Sequence, residues 1–133
     1  MASEINSAWK VIPMFESRSI PLSVEFYTKT LGFELATVQP EDNESELYFC
    51  SLFIGFYFSK VTPETFKSSH AMIGLGTREL DDYYVYLKSQ TGVEFSEDIE
   101  DKPWGFRQFT IKDTDGNSLK FFKFLEGGNP GDG

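Results

Sequence analysis

The residues able to carry chemistry in this sequence are few, and none has an evident partner. His70 is the only histidine and Cys50 the only cysteine. A Cys–His nucleophile would need both, brought together by the fold. Cys50 stands in an apolar run, where a thiol is packed and inert rather than activated. One cysteine excludes an internal disulfide and leaves too few thiols for a cysteine-built metal site. A lone strand histidine is more often hydrogen-bonded or exposed than a ligand. Asp and Glu number 21, yet nothing in their spacing singles out a matched acid–base pair. Asp113-Thr114-Asp115-Gly116-Asn117 is superficially like a calcium loop but lacks the ligand spacing and the closing bidentate glutamate. No glycine loop of the phosphate-cradling kind is present. What is left is an aromatic. Trp104, in Pro103-Trp104-Gly105, can offer a flat apolar surface to a ligand, although simple packing would explain the same ring.

The segments that must position these residues show clear periodicities. Arg107, Phe109 and Ile111 alternate with Gln108, Thr110 and Lys112, the period of a strand. Asp115-Gly116-Asn117 tolerates positive φ and reverses the chain into a second strand, Leu119 to Phe124. Ahead of Trp104, Val93-Glu94-Phe95 reads as a strand and Glu97, Asp98, Glu100 and Asp101 as an acidic loop. Further upstream, Leu80, Tyr83, Tyr84 and Leu87 form a helical stripe ended by Gly92, and His70 to Gly76 reads as a strand. In the first half, Lys10 to Phe15 is a short strand that Pro13 confines to an edge. Ser19 caps a helix with Pro21 in its first turn; Ile20, Val24, Tyr27 and Leu31 share one face, and Gly32 ends it. Phe33 and Leu35 open the next strand, Gln39 to Glu44 is a loop, and Leu47 and Phe49 resume the alternation. Leu52-Phe53-Ile54-Gly55-Phe56-Tyr57-Phe58 is expected to be a strand covered on both faces, with Gly55 marking a bulge or a close approach.

A chain of 133 residues is expected to be one domain. Its bounds are read as 10–125, with modules of about 10–60 and 70–125, a frayed tail 1–9 and a disordered tail 126–133. The net charge of −9 argues against nucleic acid, whose phosphates need clustered Lys and Arg. It suits both solubility and the steering of a cationic ligand. No secretory leader and no apolar run of about 18 residues is seen, so the expectation is a cytoplasmic protein with no membrane partner. The order strand–helix–strand–strand–strand occurs twice, a repeat of about 55–60 residues, which points to α+β packing with helices on one side of the sheets.

Three anchors carry a family resemblance. They are Ser23-Val24-Glu25-Phe26-Tyr27 with Leu31-Gly32-Phe33; Leu80-Asp81-Asp82-Tyr83-Tyr84; and Pro103-Trp104-Gly105 with Asp113-Thr114-Asp115-Gly116-Asn117. The chain resembles the glyoxalase/bleomycin-resistance/dioxygenase (vicinal oxygen chelate) superfamily. The Pro-Trp-Gly lead-in is nearest to the small bleomycin-resistance-type binding proteins. The resemblance implies two βαβββ modules forming a cupped mixed sheet with helices outside. Enzymes of the family hold a divalent metal through one residue from each of four strands. Those positions fall here near Ile12, near Phe53, on His70 or Met72, and on Lys120. Apolar groups and an ammonium do not ligate such ions, and Lys120 repels them. No metal, cofactor or catalytic residue is therefore expected. The reading is a metal-free homodimer that sequesters a flat aromatic, cationic small molecule. Trp104 would be its stacking platform; Phe53, Tyr57 and Phe33 its walls; Lys120 a further lining residue; and Glu100 and Asp101, with Glu97 and Asp98, the screen for ligand charge. The bulk of Phe56, Tyr57 and Phe58 would narrow the cleft. The alternatives are a superfamily enzyme, lyase or oxygenase, with an atypical or absent metal site, and a relative acting only through protein contacts.

Overall fold

The computed structural model describes residues 7–43, 46–76 and 78–126. The first module runs β1 (Met14–Ser17), α1 (Ile20–Glu25) continuing into a π-helical turn (Phe26–Thr30), β2 (Leu35–Gln39), β3 (Phe49–Leu52) and β4 (Tyr57–Lys60). The second runs β5 (His70–Gly74), α2 (Glu79–Lys88), β6 (Glu94–Asp101), β7 (Phe106–Lys112) and β8 (Ser118–Phe124). Each module forms a four-stranded sheet, ordered β1-β4-β3-β2 and β5-β8-β7-β6. β1–β4 and β5–β8 are parallel and the other neighbours antiparallel. The α+β fold of two βαβββ modules read from the sequence is the fold observed. No helix among the described residues is long and apolar enough to cross a membrane.

Local chemistry explains the helix entry. The Ser19 hydroxyl accepts from the Leu22 amide at 3.3 Å, and Pro21 sits in the first turn. A Leu31 amide bond to the Phe26 carbonyl (3.0 Å) then widens the helix, and the adjacent Phe26 and Tyr27 are both buried. Between the helices and the inner sheet faces lies a core rich in aromatic rings. Tyr27 packs on Phe58 (4.7 Å between centroids), Phe109 on Phe121 (5.3 Å), and Phe33 joins the two modules by lying against Tyr27 and Phe121.

The modules are fastened where the sequence shows a plain hairpin turn. Asp113 is buried; its Oδ1 accepts from the amides of Asp115 and Asn117 (both 2.9 Å). Its Oδ2 accepts from the Tyr27 hydroxyl of the other module at 2.7 Å. Asp115 binds the Arg18 amide and guanidinium, and Asn117 donates to the Glu16 carbonyl.

Three expectations are corrected. The apolar run Leu52–Phe58 is not one strand: β3 stops at Leu52, and a turn passes through Phe53, Ile54 and Gly55 before β4. Bonds from Gly55 N to Leu52 O and from Leu52 N to Phe56 O (both 2.9 Å) close it, and Gly55 has φ +103° with open space at its Cβ position. Gly55 is therefore a turn residue and not a mark of close approach. The first strand begins at Met14 rather than Lys10; Pro13 precedes it and only its carbonyl joins the sheet, accepting from Tyr57 N. The acidic segment is no loop. It lies within β6, an edge strand whose charges discourage pairing with other chains. The tail expected at 126–133 lies outside the described residues except Glu126, and that at 1–9 except residues 7–9.

Candidate functional site

One face of each sheet covers the core and the other is open. Strand register assigns the open face of the second sheet in rows. Met72 stands beside Lys120, Lys120 beside Thr110, and Thr110 beside Glu97. The next row is Gly74, Phe122, Gln108 and Glu100; on the other side lie His70, Ser118 and Lys112. Glu97 reaches this face because the β6 register slips between Phe95 and Glu97. Phe95 pairs with Ile111 on the core side, and the slip turns Glu97 outward.

Trp104 is delivered to this face by the β6–β7 turn. Gly105 N bonds to Lys102 O (3.0 Å) and Lys102 N to Phe106 O (2.6 Å), while Gly105 takes φ +94°. Pro103 presets the second turn position, and the left-handed glycine closes the hairpin. The indole Nε1–H donates to Gln108 Oε1 at 3.3 Å. Gln108 is only 1% exposed and Trp104 60%, so a fixed amide holds an open ring. Gln108 Nε2 donates to Glu97 Oε1 (3.0 Å), which also receives the Thr110 hydroxyl (2.8 Å). Lys102 caps the network: its ammonium pairs with Glu97 Oε2 (2.8 Å) and with Glu100, and lies 5.8 Å from the Trp104 ring centre. Burial raises the Glu97 carboxyl, but the bonds from Lys102, Gln108 and Thr110 outweigh it and hold the group below the usual carboxylate range. Bonds to Glu100 and then Glu97 raise the Lys102 ammonium.

Beside this network lies a cleft of about 390 Å³ lined by His70, Met72, Glu97, Thr110, Ser118 and Lys120. Met72 also lines a smaller cleft, about 280 Å³, shared with Ile54 and Phe56 of the first module.

The residues singled out in the sequence are distributed as follows. Trp104, Lys120 and Glu100 belong to the open face of the second sheet. Asp101 pairs with Arg107, which also grips Asp81 of α2 through two 2.9 Å bonds. Asp98 pairs with Lys88 of α2 and accepts from the Tyr84 hydroxyl. The acidic quartet is thus divided between the open face and the helix side, and each member is engaged by a cation of the chain itself. Tyr57 lies on the open face of the first sheet, edge-on to Phe49 (5.4 Å). Phe53 sits on the tip of the β3–β4 turn, 71% exposed. Phe33 lies on the helix side between Tyr27 and Phe121. Phe58 is buried in the core, and Phe56, also buried, borders only the smaller cleft, so the bulk of neither stands beside Trp104. Gln108 and Thr110 escaped sequence reasoning, which read Glu97 only as one of four charge-screening acids. The signal was the presence of two polar residues alternating with Phe109 and Ile111 in one strand.

The four positions where the fold family holds a metal do not fit one. Ile12 precedes β1, Phe53 is in a turn, and the β5–β8 register pairs Met72 with Lys120 and His70 with Ser118. Among the described residues no group of three or more His, Cys, Asp or Glu side chains is placed to hold an ion. Cys50 is buried, which pushes its thiol up to about 12 and leaves it unsuited to attack.

Comparison with known proteins agrees with this architecture. The family model described as Glyoxalase/Bleomycin resistance protein/Dioxygenase superfamily matches residues 17–121. No curated protein matches the sequence. Among solved structures, TioX from Micromonospora sp. ML1 superposes with a TM-score of 0.74 at 18% identity, covering 89% of this chain and 100% of that one. A glyoxalase-related enzyme from Clostridium phytofermentans gives 0.73 at 21% identity over 92% and 99% of the two chains. TnmS3, an antibiotic binding protein from Streptomyces sp. CB03234, gives 0.64 at 20% identity over 90% and 99%. Likeness at these identities speaks to the fold.

Proposed function

The chain belongs to the Glyoxalase/Bleomycin resistance protein/Dioxygenase superfamily, and from that premise we propose that it is a metal-free binding protein that sequesters a flat aromatic small molecule on the open face of its second sheet. The observation that carries this reading is the Trp104 ring, open to solvent but tethered through Gln108 to a buried polar network. A fixed aromatic surface binds a planar ligand with little ordering cost, because its own rotamer is already set. The side chains at the family's metal positions supply no convergent donors, which favours binding over metal-assisted turnover. That TnmS3 is an antibiotic binding protein favours an antibiotic as the ligand class.

The protein works in this reading as a cytoplasmic homodimer. The exposed Met72, Phe124, Leu125 and Phe53 offer apolar area for a second copy, which would roof the open face. A thermal-shift screen with planar aromatic compounds tests the proposal. A ligand at about 100 times its Kd adds roughly 2.7 kcal/mol of stability, and Trp104→Ala abolishes most of that gain while Trp104→Phe retains part of it. An undiminished shift in Trp104→Ala, or stoichiometric Zn, Fe, Mn or Ni in the purified protein, would overturn the reading. Light scattering that shows only the 15.2 kDa monomer removes the roofed cleft.

A further inference from the structure

Resting on that reading, we propose that the ligand also carries a carboxylate, and that Lys120 receives it. Lys120 lies on β8, flanked by β5 and β7, so it is on a central strand of the sheet and not at its rim. Its neighbours in the row are Met72 and Thr110. It forms no ion pair among the described residues. Of the other cations on this face, Lys102 is held by Glu97 and Glu100, and Lys112 stands one row along beside Ser118.

Glu97 shares the row but stands two strands away, roughly 10 Å between backbones. Both of its oxygens are taken, by Thr110, Gln108 and Lys102. Thr110 directs its proton to Glu97, so it offers Lys120 no negative partner. The cleft beside Lys120 adds two further donors, the Ser118 hydroxyl and the His70 ring, paired in register one row along. A half-buried lysine that makes no ion pair among the described residues, with further donors beside it, is matched by an anion.

A monoanion suits the site better than a phosphate dianion, whose second charge would be set against Glu97 of the same row. Geometry gives the spacing. Gln108, which tethers Trp104, lies one row and one strand from Lys120, about 7 Å along and about 5 Å across. The proposed ligand is therefore an arylacetic acid, its ring on Trp104 and its acid at Lys120.

The test uses the full chain and three probes that share one ring: naphthylacetate, naphthylacetamide and naphthyl phosphate. Titration calorimetry gives their affinities for the wild type, Lys120→Met, Lys120→Gln and Trp104→Ala, with each variant's melt recorded. A charge-assisted bond predicts naphthylacetate about 10- to 100-fold tighter than the amide. Both Lys120 variants level that difference without weakening the amide, and Trp104→Ala weakens acid and amide together. Equal affinity of acid and amide in the wild type, or a preference that survives loss of Lys120, overturns the carboxylate assignment and leaves the aromatic platform standing. A tighter phosphate overturns the choice of a monoanion. Amide binding indifferent to Trp104→Ala, or no binding by any probe, brings down the platform itself.

Discussion

Tyr27→Phe isolates the bond that fastens the two modules. The Tyr27 hydroxyl is fully buried and donates to Asp113 Oδ2 at 2.7 Å. Its removal deletes one donor to a carboxylate that keeps its three others, from the Asp115 and Asn117 amides and the Asn117 side chain. A hydrogen bond to a charged group contributes about 1.5–3 kcal/mol, and the ring itself stays packed. Taking ~2 kcal/mol, with an unfolding entropy of about 2.1 cal/mol/K per residue over 133 residues, Tm falls by about 7 °C. The pH dependence supplies a second reading. Burial, reinforced by the Asp113 charge and bond, raises the Tyr27 phenol far above its ordinary value. The native state therefore keeps a proton that the unfolded chain releases above about pH 10. This contribution is fully present below that pH and is lost above it at ~1.36 kcal/mol per pH unit. Tyr83 and Cys50, also raised by burial, act in the same sense and remain in the variant. Urea titrations at neutral pH and at two pH values above 10 should show Tyr27→Phe weaker at neutrality and shallower in alkali by one proton. A neutral-pH loss below about 0.5 kcal/mol, or an unchanged alkaline slope, refutes the reasoning.

Two more outcomes follow from the geometry around the site. Arg107→Ala removes the two-pronged grip on Asp81 and the pair with Asp101. Because both carboxylate partners are largely exposed, the loss is about 1 kcal/mol and shrinks in high salt. The Arg107 bond holds the Asp81 carboxyl below its usual range, so this stabilisation is present above about pH 4 and disappears as pH falls through the lowered value; urea midpoints of variant and wild type should differ at neutral pH and converge in acid. Gly105→Ala meets no steric obstacle, yet must hold φ +94°. It should cost about 1–2 kcal/mol and weaken aromatic probes by displacing Trp104; an unchanged melt and unchanged affinity would show that the turn does not set the ring.

Local information in the chain determined the elements and their order. The Ser19-Ile20-Pro21 entry, the stripe Leu80, Tyr83, Tyr84, Leu87 and the alternation through Phe109 and Ile111 each arise from neighbours within a turn or a pleat, and the repeat of that order pointed to the βαβββ pair. Trp104 was conspicuous because Pro103 and Gly105 frame it with turn chemistry of their own. Partnership across distance was not legible. Leu52–Phe58 has the composition of one buried strand, and only pairing with β2 and β4 shows that it folds into a turn at Gly55. Glu97, Asp98, Glu100 and Asp101 look like one charged loop in sequence. Register slips against β7 and the approach of α2 send them to opposite sides. Asp113 shows the same limit: its tyrosine partner is 86 residues away. Short-range sterics and hydrophobic period are written in consecutive residues, whereas which polar groups meet depends on how sheets and helices stack. The tertiary structure therefore decided that Gln108 fixes Trp104 and that Lys120 makes no ion pair among the described residues.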